Sequence, residues 1–184
     1  NLLGVPIEET VFAEIAQVFQ QTPHIRTLCG FEEGQEEIEW SGKSVMDKRL
    51  IVADLKAGRA TSAVRSLDLL DGKIEQEVLD EVIEMFGETE RIRTLCGFEE
   101  GQERIDDWKR SERSAIDVKL LVADINAGRA TARVQTLNLD LSGQTADDVR
   151  VLTKHIKDGF GAETLRCLNL STIDDMTSAQ VTQD

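Results

Sequence analysis

The sequence predicts a mixed α/β solenoid: a curved parallel sheet of about five short strands inside, with helices packed along its outside. Three observations carry this reading. The phrase IRTLCGFEEGQE begins at Ile25 and begins again, letter for letter, at Ile92. The same offset of 67 residues holds well outside the phrase, pairing Ile7 with Ile74, Val11 with Val78, Phe12 with Leu79, Ile15 with Val82 and Phe19 with Phe86. Within each long period, short apolar runs alternate with amphipathic segments of helical length.

The first of those segments, residues 8–21, carries Val11, Ile15, Val18 and Phe19 at helical spacing. Its copy at 75–86 carries Val78, Leu79, Val82, Ile83 and Phe86. A third, 145–157, carries Val149, Leu152 and Ile156, each set falling on one face of a helix. Segments 44–57 and 114–127 also read as helices, with Gly58 and Gly128 placed as C-terminal caps. Between the helices the apolar runs share one plan: RIRTL ends at Leu95, AVRSLDL at Leu69, RVQTLNL at Leu139 and TLRCLNL at Leu170.

In this pattern the chain resembles the leucine-rich repeat family, in its longer, helix-containing type similar to ribonuclease inhibitor. The family motif is L-x-x-L-x-L-x-x-N/C-x-L; Val64, Leu67, Leu69 and Ile74 match it, as do Leu165, Leu168 and Leu170. Gly72 stands where the family prefers Asn or Cys. The resemblance implies one solenoid over residues 1–184, with long units at 1–67 and 68–139 and a partial unit at 140–184. Residues 1–3 align inside a repeat strand and MTSAQVTQD resembles the start of a further helix, so the chain reads as an excerpt of a longer array.

The repeated phrase is a strand followed by a ten-residue insertion, because Leu28 and Ile38 both fit the fourth motif position, as do Leu95 and Ile105. Sequence leaves open which of each pair occupies the sheet. Lengthening a surface loop costs only about 0.6 kcal/mol per doubling, so the fold tolerates the insertion. It is acidic: Glu32, Glu33, Glu36 and Glu37 in one copy, Glu99, Glu100 and Glu103 in the other, with Trp40 and Trp108 close behind. Such an edge could grip a basic partner, or it could be a solvated turn with its Trp packed inward. Calcium is a further reading, since Ca²⁺ takes 6–8 oxygen ligands, but EF-hand spacing is absent.

Residues flanking the fourth-position Leu point to the open concave surface in this family, since neighbours alternate across a strand. That places Thr27 and Cys29, Ser66 and Asp68, Thr94 and Cys96, Thr136 and Asn138, and Cys167 and Asn169 in two small, polar columns. A face of this kind suits a protein or peptide better than a buried apolar ligand. Cys29 and Cys96, two strands apart, are beyond disulfide reach. An odd count of three cysteines makes no disulfide framework and points to a reducing, intracellular compartment.

Composition narrows the partner. With 40 % apolar and 30 % charged residues and a net charge of −14, the chain is poorly suited to nucleic acid or an anionic membrane. No apolar run approaches the roughly 20 residues that cross a bilayer. His24 aligns with Arg91 and so is no part of the repeated plan, His155 lies on a predicted helix face, and no nucleophile elbow, Walker loop or zinc pairing is present, which argues against an enzyme and against a cofactor. The expected function is recognition of another protein, as a binding module or as a fixed subunit of a large assembly, with an acidic calcium-binding module as the remaining alternative.

Overall fold

The computed structural model describes residues 1–70, 73–108, 114–140, 149–150, 152–154, 165–171 and 179–182. Gly72, His155 and Ile156 lie outside the described residues. The chain mixes helix and strand and divides into two compact units, one of Asn1–Leu67 with Lys73–Ile92, the other of Asp68–Gly72 with Arg93–Asp184.

The first unit is built from α1 (Glu9–Gln21), α2 (Val45–Ala57) and α3 (Gln76–Glu88). α2 starts where Ser44 and Asp47 cap each other's backbone amides, and it stops at Gly58, whose φ of 66° is open to glycine at little cost. Leu50, Ile51 and Leu55 of α2 are fully buried, as are Val78, Leu79, Val82 and Met85 of α3. Phe12 and Phe19 of α1 complete this core under the guanidinium groups of Arg49 and Arg59, 4.5 and 4.4 Å above their rings. Lys48 bonds Glu75 and Arg49 bonds Glu81, joining α2 to α3 at 2.7 Å each.

The second unit holds β1 (Arg104–Trp108), α4 (Ala115–Ala127), β2 (Thr136–Asp140), β3 (Cys167–Ser171) and β4 (Ala179–Thr182). α4 repeats the α2 design, with a Ser114/Asp117 capping box and Gly128 at φ 61°. β1, β2 and β3 form a small parallel sheet in that order. Ile105 sits opposite Leu137 and Leu137 opposite Leu168, so one face carries a row of buried aliphatic side chains. β4 pairs with β3 antiparallel. Within MTSAQVTQD, where a helix is expected to begin, the described residues Ala179–Thr182 form this strand instead and add to the sheet edge.

The helices fall where periodicity places them, and residues 149–150 and 152–154 are helical as well. The strands do not all do so. No strand forms at the first copy of the phrase, and around the second copy the pairing is reduced to isolated bridge residues, Asp68 facing Cys96, with Leu69 N–H donating to the Leu95 carbonyl at 3.0 Å. Beside β2 the sheet position belongs to Ile105, ten residues beyond Leu95. The physical reason is that the amides of Leu28, Cys29, Leu95 and Cys96 are given to a side-chain acceptor instead of a neighbouring strand.

Candidate functional site

That acceptor is an aspartate on the following helix. Asp54 of α2 takes the N–H of Leu28 at 2.9 Å, the N–H of Cys29 at 2.8 Å and the hydroxyl of Thr27 at 2.8 Å. Asp124 of α4 takes Leu95 N–H at 2.9 Å, Cys96 N–H at 2.9 Å and the Thr94 hydroxyl at 2.8 Å. Both carboxyls are 98–99 % buried, and bonds from neutral donors to an ionised acceptor are the strong class. Burial pushes the Asp124 carboxyl above its ordinary value, while the donors of Leu95, Thr94 and Cys96 pull against it.

The threonine then continues the chain of contacts. Thr27 Oγ1 accepts from the amides of Cys29, Gly30 and Phe31, and Thr94 Oγ1 from those of Cys96 and Phe98. Gly30 at φ 77° and Gly97 at φ 72° turn the backbone out of this knot. A Cβ on Gly97 would stand 3.2 Å from the Asp68 side chain, so the turn is tight as well as left-handed. The AGRAT sequence locks the other side: Thr61 donates to the Asp54 carbonyl at 3.0 Å and Thr131 to the Asp124 carbonyl at 3.2 Å. Arg26 donates to the Arg59 carbonyl and Arg93 to the Arg129 carbonyl.

Above each knot projects the acidic loop. Gln35 N–H closes onto the Glu32 carbonyl at 3.2 Å and Gln102 N–H onto Glu99 at 3.3 Å, and the Gln side chains brace the loops by donating to the carbonyls of Glu37 and Arg104. Glu33 pairs with Arg26 at 3.1 Å and Glu100 with Arg93 at 2.8 Å. Exposed pairs of this kind stabilise by roughly 0–1 kcal/mol, so they orient more than they hold. Glu32, Glu36, Glu37, Glu99 and Glu103 are exposed, and among the described residues they form no salt bridge.

The remaining predicted site residues separate. Trp40 and Trp108 are 2 % and 1 % exposed, which takes them out of any contact surface: the indoles pack inward beneath the loops. Cys29, Thr94 and Cys96 are buried, contrary to the open column expected of them, because the clamp turns their backbone toward the helix. Burial, followed by the charge of Asp54, drives the Cys29 thiol far above its ordinary value, so it is no nucleophile. Thr27 is half-buried, Ser66 and Asp68 are exposed, and Thr136, Asn138, Cys167 and Asn169 stand half-exposed on the sheet.

On that sheet face the sequence reading missed two residues. Register places Arg104 in line with Thr136 and Cys167, while Asp106 accepts from Asn138, which in turn accepts from Asn169 at 2.5 Å. The signal was available, since Asp106 follows Ile105 as Asn138 follows Leu137 and Asn169 follows Leu168. The second acidic loop runs directly into β1, and the Glu103 carbonyl accepts the amides of Gln135 and Thr136, so loop and polar face adjoin.

Among the described residues, no group of three or more His, Cys, Asp or Glu side chains is placed to hold a metal ion. None of their helices is long and apolar enough to cross a membrane. Comparison with protein-family models, curated proteins and solved structures finds no match for this chain.

Proposed function

We propose that this chain is a protein-recognition module of leucine-rich-repeat type whose contact elements are its two acidic loops, and that its partner is a protein with a basic surface. One observation carries the reading: the same loop is built twice on the same foundation, a buried helix aspartate holding the Thr-Leu-Cys backbone while unpaired glutamates stand in solvent. A passive turn needs no such clamp. Fixing the backbone before contact lowers the ordering cost of binding, which is what a recognition loop gains from it. The net charge of −14 adds long-range attraction for a cationic partner. The polar sheet face of Asp106, Asn138 and Asn169 is the second contact surface of the same reading.

The test is affinity purification of the tagged protein from cells that express it, beside a variant with Glu32, Glu36, Glu37, Glu99 and Glu103 changed to Gln. A basic partner recovered with the parent chain and lost with the variant, with binding weakened by salt, is the expected result. A partner retained at fixed stoichiometry by the variant would replace this reading with that of a structural subunit. If nothing is recovered with either, the recognition reading fails.

A further inference from the structure

In the first unit α2 packs against both α1 and α3, which do not meet each other, and between them an open groove of ≈ 510 Å³ runs over α2. Its walls all belong to that unit, and it shares no residue with the acidic loops. The floor is made of small side chains, Ala16 of α1 with Ala53 and Ala57 of α2, all half-buried. Alanines at such a place let another backbone come close. The lining residues of each helix recur over seven positions, as Phe12 to Phe19, Arg49 to Lys56 and Glu81 to Glu88 do, so the groove follows about 10 Å of helix, or two turns. Two of its features are not repeated in the chain: α3 carries Ile83 where α1 has Ala16, and α4 carries Asn126 where α2 has Lys56.

The two walls differ in charge. α1 lines the groove with Phe12, Ala16, Phe19 and Gln20, none of them charged, whereas α3 lines it with Glu81, Glu84 and Glu88. The cations of α2 do not balance that wall. Arg49 is shared by Glu9 and Glu81, and Lys56 by Glu84 and Glu88 at 2.8 and 3.5 Å, so two cations answer four carboxylates. Arg59 is turned to the carbonyls of Gln20, Thr22 and Ile25 at the end of α1, with its guanidinium 4.4 Å above the Phe19 ring. The side chains of Glu84 and Glu88 stay 61 % and 60 % exposed, open to a further cation. We infer that this groove seats a helix of a partner protein, laid along α2, with small or aliphatic residues on the alanine floor and Lys or Arg along the single flank that faces α3. Recognition of this mode takes its affinity from the apolar face and its orientation from the charges beside it. Because α1 offers no carboxylate in the lining, charge on the other flank of the occupant gains nothing, and the one-sided pattern fixes which way round the helix lies.

The probe for the test is a fluorescein-labelled amphipathic peptide with alanine and leucine on one face and lysines along one flank only, titrated into the intact chain and followed by anisotropy. Its comparator carries the same lysines divided between both flanks. Saturable binding is expected for the first, and binding about tenfold weaker for the second. Ala16→Ile fills the floor with the residue that α3 carries at the matching position, so the helix design tolerates it, and it should weaken the first peptide about tenfold. Glu84→Gln together with Glu88→Gln, both at exposed positions, should weaken it through charge and flatten its dependence on salt. The protein with glutamines at Glu32, Glu36, Glu37, Glu99 and Glu103 should bind the peptide as the parent does. Absence of binding, equal affinity for the two peptides, or indifference to Ala16→Ile or to the Glu84 and Glu88 pair would overturn the inference. Loss of binding with the five-glutamine variant would overturn it too, by assigning the cationic peptide to the acidic loops. In sedimentation, a concentration-dependent dimer abolished by Ala16→Ile would give the groove to a second copy of this chain instead.

Discussion

Replacing Asp124 by Asn keeps the shape of the clamp and removes its charge, so it isolates what the carboxylate contributes. Asp124 receives Thr94 Oγ1 and Cys96 N–H on one oxygen, and Leu95 N–H chiefly on the other, at 2.9 Å. An Asn oxygen can keep the first two, but each falls from the charge-assisted class to the neutral one, a loss of about 1 kcal/mol apiece. The Asn nitrogen then faces the Leu95 N–H, donor to donor, in a site 1 % exposed, which costs about 1–3 kcal/mol more. Burial already holds the Asp124 carboxyl above its ordinary value, so relief of that desolvation offsets part of the sum. The net expectation is a loss of about 2–3 kcal/mol, read as a lowered urea midpoint at unchanged slope. Glu14→Gln, at an exposed position on α1, serves as the control and should stay within about 0.5 kcal/mol. A midpoint for Asp124→Asn as close to wild type as the control's would refute the clamp as a source of stability.

Native-state alkylation with iodoacetamide should modify Cys167, which is half-exposed, well before Cys29 and Cys96, which are buried; mass spectrometry of the digested protein reads the order, and equal rates would contradict the buried placement. At Asp47, burial raises the carboxyl, but the amides of Gly4 and Ser44 and the Ser44 hydroxyl outweigh it and leave the group below its ordinary value. A depressed carboxyl contributes stability that is present above the unfolded value of about 3.9 and lost as pH falls through the folded one. Wild type should therefore lose more stability than Asp47→Asn between about pH 5 and the acid limit of folding, and parallel curves would rule the contribution out. Trp40→Ala should cost about 3–5 kcal/mol by thermal or urea unfolding, as a fully buried ring does, whereas a Trp that served only as a contact residue would leave stability unchanged.

The helices were legible because their signals are local. Apolar spacing placed α1 to α4 to within a residue or two, and Gly58 and Gly128 marked two of their ends by the left-handed conformation that glycine adopts readily. The strands were not, because Ile-x-x-Leu describes a clamped turn as well as a ladder: what separates them is the acceptor, and Asp54 lies 26 residues from Leu28 in sequence. A clue stood in plain letters, for VADLKAGRAT and VADINAGRAT repeat together with the phrase, each placing one Asp at the same point of its helix. Read as paired halves of one device, the two repeats would have predicted the clamp. The inward turn of Trp40 and Trp108 was one of the two readings the sequence left open for the acidic loops, and their burial decides for it. Asp106 was missed for a simpler reason: either Leu95 or Ile105 satisfied the motif, and only the sheet register decides between them.

The central claim is that the duplicated phrase is rigid at its base and open at its tip, and amide hydrogen exchange reads both at once. In the native protein the amides of Leu28, Cys29, Leu95 and Cys96 should exchange slowly although Leu28 and Cys29 belong to no strand, while those of Glu33 and Glu100 exchange fast. Asp54→Asn should release Leu28 and Cys29. If Leu28 and Cys29 exchange as fast as the loop tips in the wild-type chain, the carboxylate does not hold the phrase and the account of its repetition is wrong.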